Sequence, residues 1–454
     1  MALRIALSGF VVLVVAMGIG RFAFTPQVPL MIAAGQLTLT SAGLVAAMNY
    51  LGYLVGAWDA MRARRFVETR LWLGITGAVA LTLLSAAADN AVIHGLLRFA
   101  IGCMSGWSMV LIAAWTNERL GQLGKPGLSA AVFAGPGAGI ALSGLLAVYI
   151  QAKSLSAGAA WQIYGVLALV LIALVARYLP RAGQLHRPGT APEPLRLTAD
   201  LRRLVWSYSL AGFGYILPAT FLSQMAAVRF PGSLFAQFVW PIFGLAAVVG
   251  IALSIALRHI STANRRLAIV LWLQGAGGLA GRPTPAIGGL LTGGLLVGGG
   301  FLCAVQLSLL YGRELAPNHT RYMAGLLTTG YAIGQLIGPV TSALSTWLTH
   351  RLEPALGLAS RCSSAARWSG IVTLKGNSNC NNYRREYWIM CVASRTMSAY
   401  FCHNEGERRH TCRRRKCHHS VKKLPWSMKP CLRAVSKRHC VRPLRIWTMK
   451  PVKV

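Results

Sequence analysis

Residues 159–178 read AAWQIYGVLALVLIALVARY, twenty residues whose single charge, Arg177, sits at the far end. A stretch of that length matches a hydrocarbon core ~30 Å thick. In lipid, only a helix satisfies its own backbone over such a run. The alternation of polar and apolar residues that marks a membrane barrel strand is absent. Outward in both directions the pattern repeats, with apolar runs at about 4–24, 41–58, 70–88, 91–115, 127–150, 159–178, 204–226, 234–257, 267–281, 285–311 and 322–346. These eleven runs set the fold class: all-α, polytopic and membrane-embedded. Arg4 before the first run would suit a secretory leader, but no A-x-A site follows and ten more spans make a first membrane helix the better reading.

Composition agrees. Of 454 residues 54% are hydrophobic and 13% charged, against ~25% charged in soluble domains. A disordered basic chain is excluded too, because such chains are poor in apolar residues. The formal charge of +35 raises nucleic acid or a membrane surface as a partner. Its position decides between them. Residues 1–360 carry a net +16, and residues 361–454 carry +19 together with 8 of the 10 Cys but only 4 Leu. The chain thus joins two compositions at Ser360-Arg361. Up to that join the basic residues alternate from loop to loop. The loops after the even-numbered runs and their flanks hold 17 Lys/Arg, including Arg62, Arg64, Arg65, Arg119, Lys125, Arg202, Arg203, Arg265 and Arg266, and the other loops hold 4. That bias predicts an N-terminus in the cytoplasm.

The longest connection, 179–203, is rich in Pro and Arg and suits a cytoplasmic linker. Six runs precede it and five follow. The expected organisation is therefore an N-terminal six-helix half over 1–178, the linker over 179–203, a C-terminal half over 204–350 and a basic, Cys-rich tail over 351–454. Residues 56–65, GAWDAMRARR, put Asp59 at a helix end with Arg62 and Arg65 nearby. Such a cluster can latch one half to the other and break as a carrier opens. Arg98 and Gly102 share a helical face at i, i+4. Residues 134–139, AGPGAG, supply Gly135, Pro136 and Gly139, which predict a kink and close helix contact; a second Gly-Pro pair stands at Gly338-Pro339.

These segments resemble motifs of the major facilitator superfamily, although Ala63 stands where its loop motif has Gly. Residues 18–31 (GIGRFAFTPQVPLM), 49–56 (NYLGYLVG) and 211–222 (AGFGYILPATFL) are similar to its uncharacterised YbfB/YjiJ-like branch. The resemblance covers about residues 5–350. It implies a 6+6 helix plan with the twelfth helix missing or replaced, and two halves that rock about a midplane site. By that plan the substrate contacts are expected among Arg21 near the outer end of the first helix, Asn49 with Tyr53, Arg98, Tyr215, Thr220 with Gln224, Gln306, and Tyr331 with Gln335. Asp59, Arg62, Arg65, Gly102, Gly135, Pro136 and Gly139 are the expected gating residues.

No Asp or Glu lies in the middle of a run, so nothing in the spans supports a coupled proton, which stays an open partner; His94 is the weak candidate. The expectation is a small organic solute, an anion or zwitterion steered by Arg21 and Arg98. The spans hold no nucleophile–base pair, paired carboxylates or metal ligands. Neither an enzyme nor a cofactor is expected, and the chain should work as a monomer. The rival reading is a membrane-anchored regulator whose tail binds nucleic acid or anionic lipid. Cys402, His403, His410, Cys412, Cys417, His418 and His419 have zinc-like types without a recognised spacing. A shifted reading frame explains the tail better, since it yields Arg, Cys, Ser, Trp and His while losing Leu and Ala. No nucleic acid is therefore expected, and the tail should be disordered.

Overall fold

Short polar side chains mark where the helices begin. Thr38 and Ser41 form a reciprocal capping box ahead of Leu39–Arg62. Asn90 accepts from the backbone of Val92 and Ile93, and Ser156, Thr198 and Ser233 each cap the helix that follows them. The computed structural model describes residues 1–181, 183–185, 197–280, 287–350, 354–355 and 357–358. These residues all fall in the unit Met1–Asn377. The expectations for residues 281–286, for a missing twelfth helix and for the tail from 361, its zinc-like cluster included, lie outside the described residues.

The helices are α1 (Ala2–Leu13), α2 (Phe24–Ala33), α3 (Leu39–Arg62), α4 (Val67–Leu84), α5 (Ala91–Gln122), α6 (Pro126–Val132), α7 (Gly135–Ala152), α8 (Ala157–Val175), α9 (Ala199–Arg229), α10 (Leu234–Ala256), α11 (Ala263–Ala280), α12 (Ile287–Leu315) and α13 (Thr320–Thr349). No strand occurs among the described residues. Nine helical segments there are long and apolar enough to cross a membrane, so the protein is an all-α, multi-pass membrane protein. α11 and α13 fall outside those nine. α11 opens on Arg265 and Arg266, and α13 carries the polar residues Tyr331 and Gln335.

Two runs differ from the sequence reading. The first does not end at residue 24: α1, a π-helical segment Val14–Ile19, the turn 20–23 and α2 form one span, Ala2–Ala33. Pro26 lies in the first turn of α2, where no intrahelical N–H bond is lost, whereas Pro29 lies inside the helix. Arg21 therefore sits in the interior of the span rather than near its outer end. The fifth run breaks at Phe133–Ala134 into α6 and α7, with Pro136 at the start of α7. Pro339, by contrast, lies inside an unbroken α13.

Glycines let the helices approach closely. Gly52 and Gly56 of α3 face the backbone of Phe99 and Cys103, while Gly102 and Gly106 of α5 face that of Asn49 and Tyr53; a Cβ at any of the four would overlap the opposing main chain. Gly139 of α7 meets Gly18, and Gly137 on another face of α7 meets Gly244 of α10. α7 is thus clamped between the first span and α10. The start of the linker is docked rather than free: Leu179 and Leu185 are buried, and the backbone N–H groups of Gly183 and Leu185 donate to the Glu68 carboxylate at 2.9 and 3.2 Å.

Candidate functional site

The break between the π segment and α2 delivers Arg21 to the boundary between the helices up to α8 and those from α9 onward. The residue is 4% exposed. Nη2 donates to Gln335 Oε1 of α13 at 2.8 Å, and Gln335 Nε2 donates to the Tyr215 hydroxyl of α9. The guanidinium carbon stands 4.0 Å from the Tyr53 ring centroid and 4.7 Å from that of Tyr50. Each such contact contributes ~0.5–2 kcal/mol once desolvated. Among the described residues Arg21 has no carboxylate partner; the ion pairs Arg70–Asp59 and Arg203–Asp200 lie elsewhere.

A wall of aromatic rings flanks this centre. Tyr208 stacks on Tyr331 at 4.3 Å, Tyr331 on Tyr215 at 5.6 Å, and Tyr215 on Phe301 at 5.1 Å. Phe301 continues to Phe243 at 5.6 Å, and Phe22 meets it edge-on at 6.1 Å. Thr220 shares a hydrogen bond with the Tyr50 hydroxyl at 3.3 Å, again across the boundary. The structure therefore brings Arg21, Tyr53, Tyr215, Thr220, Tyr331 and Gln335 together. Sequence reasoning missed Tyr50, Tyr208 and Phe301. The helical spacing of Tyr208 to Tyr215 (i, i+7) and of Tyr50 to Tyr53 (i, i+3) could have found two of these three rings.

Other expected contacts go elsewhere. Arg98 is fully buried, but its Nη1 donates to the Gly20 carbonyl at 2.9 Å and its Nη2 to Ser85 Oγ at 3.2 Å, with the Trp161 ring centroid 4.5 Å away. It ties the turn after the π segment to α5 and α8 and does not join the Arg21 cluster. Asn49 spends its amide on the Arg98 carbonyl at 2.9 Å, a helix-packing bond. Gln224, half-buried one turn past Thr220, keeps its Oε1 without a hydrogen-bond partner. Gln306 lies in a separate cavity.

The latch also differs in its partners. Asp59 accepts from Arg70 Nε at 2.7 Å and from Trp107 Nε1 at 2.8 Å. Arg62 instead covers the Trp58 ring at 4.2 Å, and Arg65 offers its backbone carbonyl to Arg70 at 2.6 Å. The counter-ion is Arg70, eleven residues on, because the turn at 63–66 brings the first turn of α4 back beside Asp59. Both Asp59 partners lie on α4 and α5, so no bond described here carries the latch to the later helices. Gly102, Gly135, Pro136 and Gly139 sit at helix contacts, Gly135 against Phe10.

At the end of the bundle that carries Met1 lies a cavity of about 230 Å³ between the two helix groups, with Asn117 and Ser129 on one side and Arg258, Arg266, Gln306 and Arg313 on the other. At the opposite end the groups touch. Thr25 Oγ1 donates to the Ala219 carbonyl at 3.4 Å, and the hydroxyls of Thr40 and Thr346 are 3.2 Å apart. No group of metal-ligating residues occurs among the described residues.

Paired long apolar helices with a polar centre at their boundary define a multi-pass protein of the major facilitator fold. The family model described as an uncharacterised MFS-type transporter, YbfB, matches residues 13–368, and the chain belongs to that family. Its family is one of membrane transporters. A mutant form of the nucleoside transporter NupG superposes with a TM-score of 0.61 at 13% identity, covering 82% of this chain and all (100%) of that one. A second NupG crystal structure gives 0.57 at 15% identity, covering 83% and 99%. At these identities the likeness shows the shared fold. No curated protein matches the chain.

Proposed function

We propose that the chain carries a small organic solute with an anionic group, an anion or a zwitterion, across a bacterial inner membrane by alternating access. Residues 1–178 and 204–350 are the two halves that rock, joined by 179–203, with the N-terminus in the cytoplasm. The observation that carries this reading is Arg21, a buried cation at the boundary of the two helix groups with no carboxylate partner among the described residues. A full positive charge at that depth is costly in a membrane protein and marks a functional site by default.

The chemistry follows from its partners. A carboxylate takes a guanidinium through two parallel bonds with both partners charged, stronger than the single bond that Arg21 donates to the neutral amide oxygen of Gln335. The solute displaces Gln335 from Arg21. Gln335 of α13 keeps its bond to Tyr215 of α9, so the same event removes one of the bonds between the halves, beside those of Tyr50–Thr220, Thr25–Ala219 and Thr40–Thr346, and weakens their contact at the centre. The tyrosine and phenylalanine rings offer flat faces to the rest of the solute. In the present conformation the two groups touch at the far end, through Thr40 and Thr346, and also at the Met1 end, where Met61 of α3 packs on Gly325 of α13. The test is flux into proteoliposomes over a library of carboxylates, amino acids and neutral solutes, nucleosides included because the ring wall would stack a base. The expected result is saturable flux of a carboxylate-bearing compound; flux confined to neutral solutes overturns the reading.

A further inference from the structure

We infer that the cavity at the Met1 end is a second, separate anion site, built for a phosphate group and bridging the two helix groups. Three guanidiniums, Arg258, Arg266 and Arg313, converge on about 230 Å³, and no carboxylate lines it. Glu314, beside Arg266, is exposed and outside the lining. Three like charges on one cavity repel one another unless an anion sits among them.

The polar neighbours are turned the same way. Ser129 Oγ donates to Asn117 Oδ1 at 3.0 Å, and Ser254 Oγ donates to Gln306 Oε1 at 2.9 Å. Each bond uses one lone pair of the amide oxygen and turns the amide NH₂ away from the serine, where it can donate to a ligand. Arg266 is held in place by its Nη1 bond to the Ser254 carbonyl at 2.6 Å, while the Nε atoms of Arg266 and Arg313 are buried without hydrogen-bond partners. Unsatisfied buried donors of this kind call for a ligand. Arg258 lies next to Gly127 of α6, across the boundary from its own helix. An oxyanion here draws on both groups and holds this face together. A free phosphate and an anionic lipid headgroup share this chemistry. The site stands apart from Arg21 and does not depend on its role.

The experiment is thermal unfolding of the purified full chain, in neutral detergent with inorganic phosphate against chloride at equal ionic strength, and in nanodiscs of phosphatidylglycerol against phosphatidylcholine. Phosphate should raise the unfolding temperature beyond chloride. Arg313→Gln and Arg258→Gln should each move the half-saturating phosphate concentration at least tenfold, and Arg21→Gln should leave it unchanged. Because Arg258 is exposed, its variant remains informative should Arg313→Gln fail to fold. Stabilisation by phosphatidylglycerol alone, lost in Arg258→Gln, assigns the site to a lipid headgroup. No stabilisation by either source, an unchanged response in Arg258→Gln, or loss of the response in Arg21→Gln overturns the proposal.

Discussion

Arg21 and Arg98 are both buried arginines on helices that read alike in sequence, yet their surroundings solve the charge differently. Arg98 finds a backbone carbonyl, a serine hydroxyl and an indole face. Arg21 has an amide and ring faces only. Hydrogen bonds to a charged group contribute ~1.5–3 kcal/mol each. With two such bonds, Arg98→Met should lower stability by about 3–6 kcal/mol, seen as a fall in unfolding temperature, with solute affinity of the folded protein unchanged. Intact stability with lost solute affinity would return Arg98 to the binding site. The sequence placed both arginines within apolar runs, Arg21 near the outer end of the first, and burial is what the structure adds. The sequence could not show their partners, since Gln335 lies 314 residues from Arg21 and nothing local encodes that distance.

At the scale of elements, the apolar runs were legible because lipid demands them, and helix starts were legible where a Ser, Thr or Asn stood before them. The breaks were not. A π segment followed by a turn has no sequence signal apart from Gly18 and Gly20, and the run read as about 4–24 stopped short of α2, where the helix restarts. The four-glycine contact of α3 and α5 was half-legible: Gly102 stood out, but its opposition to Asn49 required the packed pair. There a Cβ has no room, whereas at Gly95 of the same helix its nearest neighbour is Met48 at 3.8 Å. Overpacking of a tight contact costs about 1–3 kcal/mol. Gly102→Ala should lower the unfolding temperature and transport together, while Gly95→Ala changes neither. Equal behaviour of the two variants would remove the close-packing role.

For the whole molecule, alternating access requires the far end to open. Thr40 and Thr346 meet there with their hydroxyls 3.2 Å apart. Replacing both with cysteine should permit an oxidant-induced crosslink, given the short reach of a disulfide. The crosslinked protein should lose flux and regain it with reductant, while oxidant leaves the wild type active. Full flux through the crosslinked form would exclude opening at this end. The central claim is that Arg21 holds the anionic group of the solute, and binding tests it most directly. Isothermal titration of the transported solute against wild type and Arg21→Gln, both shown to be folded, should give at least a tenfold loss of affinity, about 1.4 kcal/mol or more. An unchanged affinity in Arg21→Gln would contradict the account.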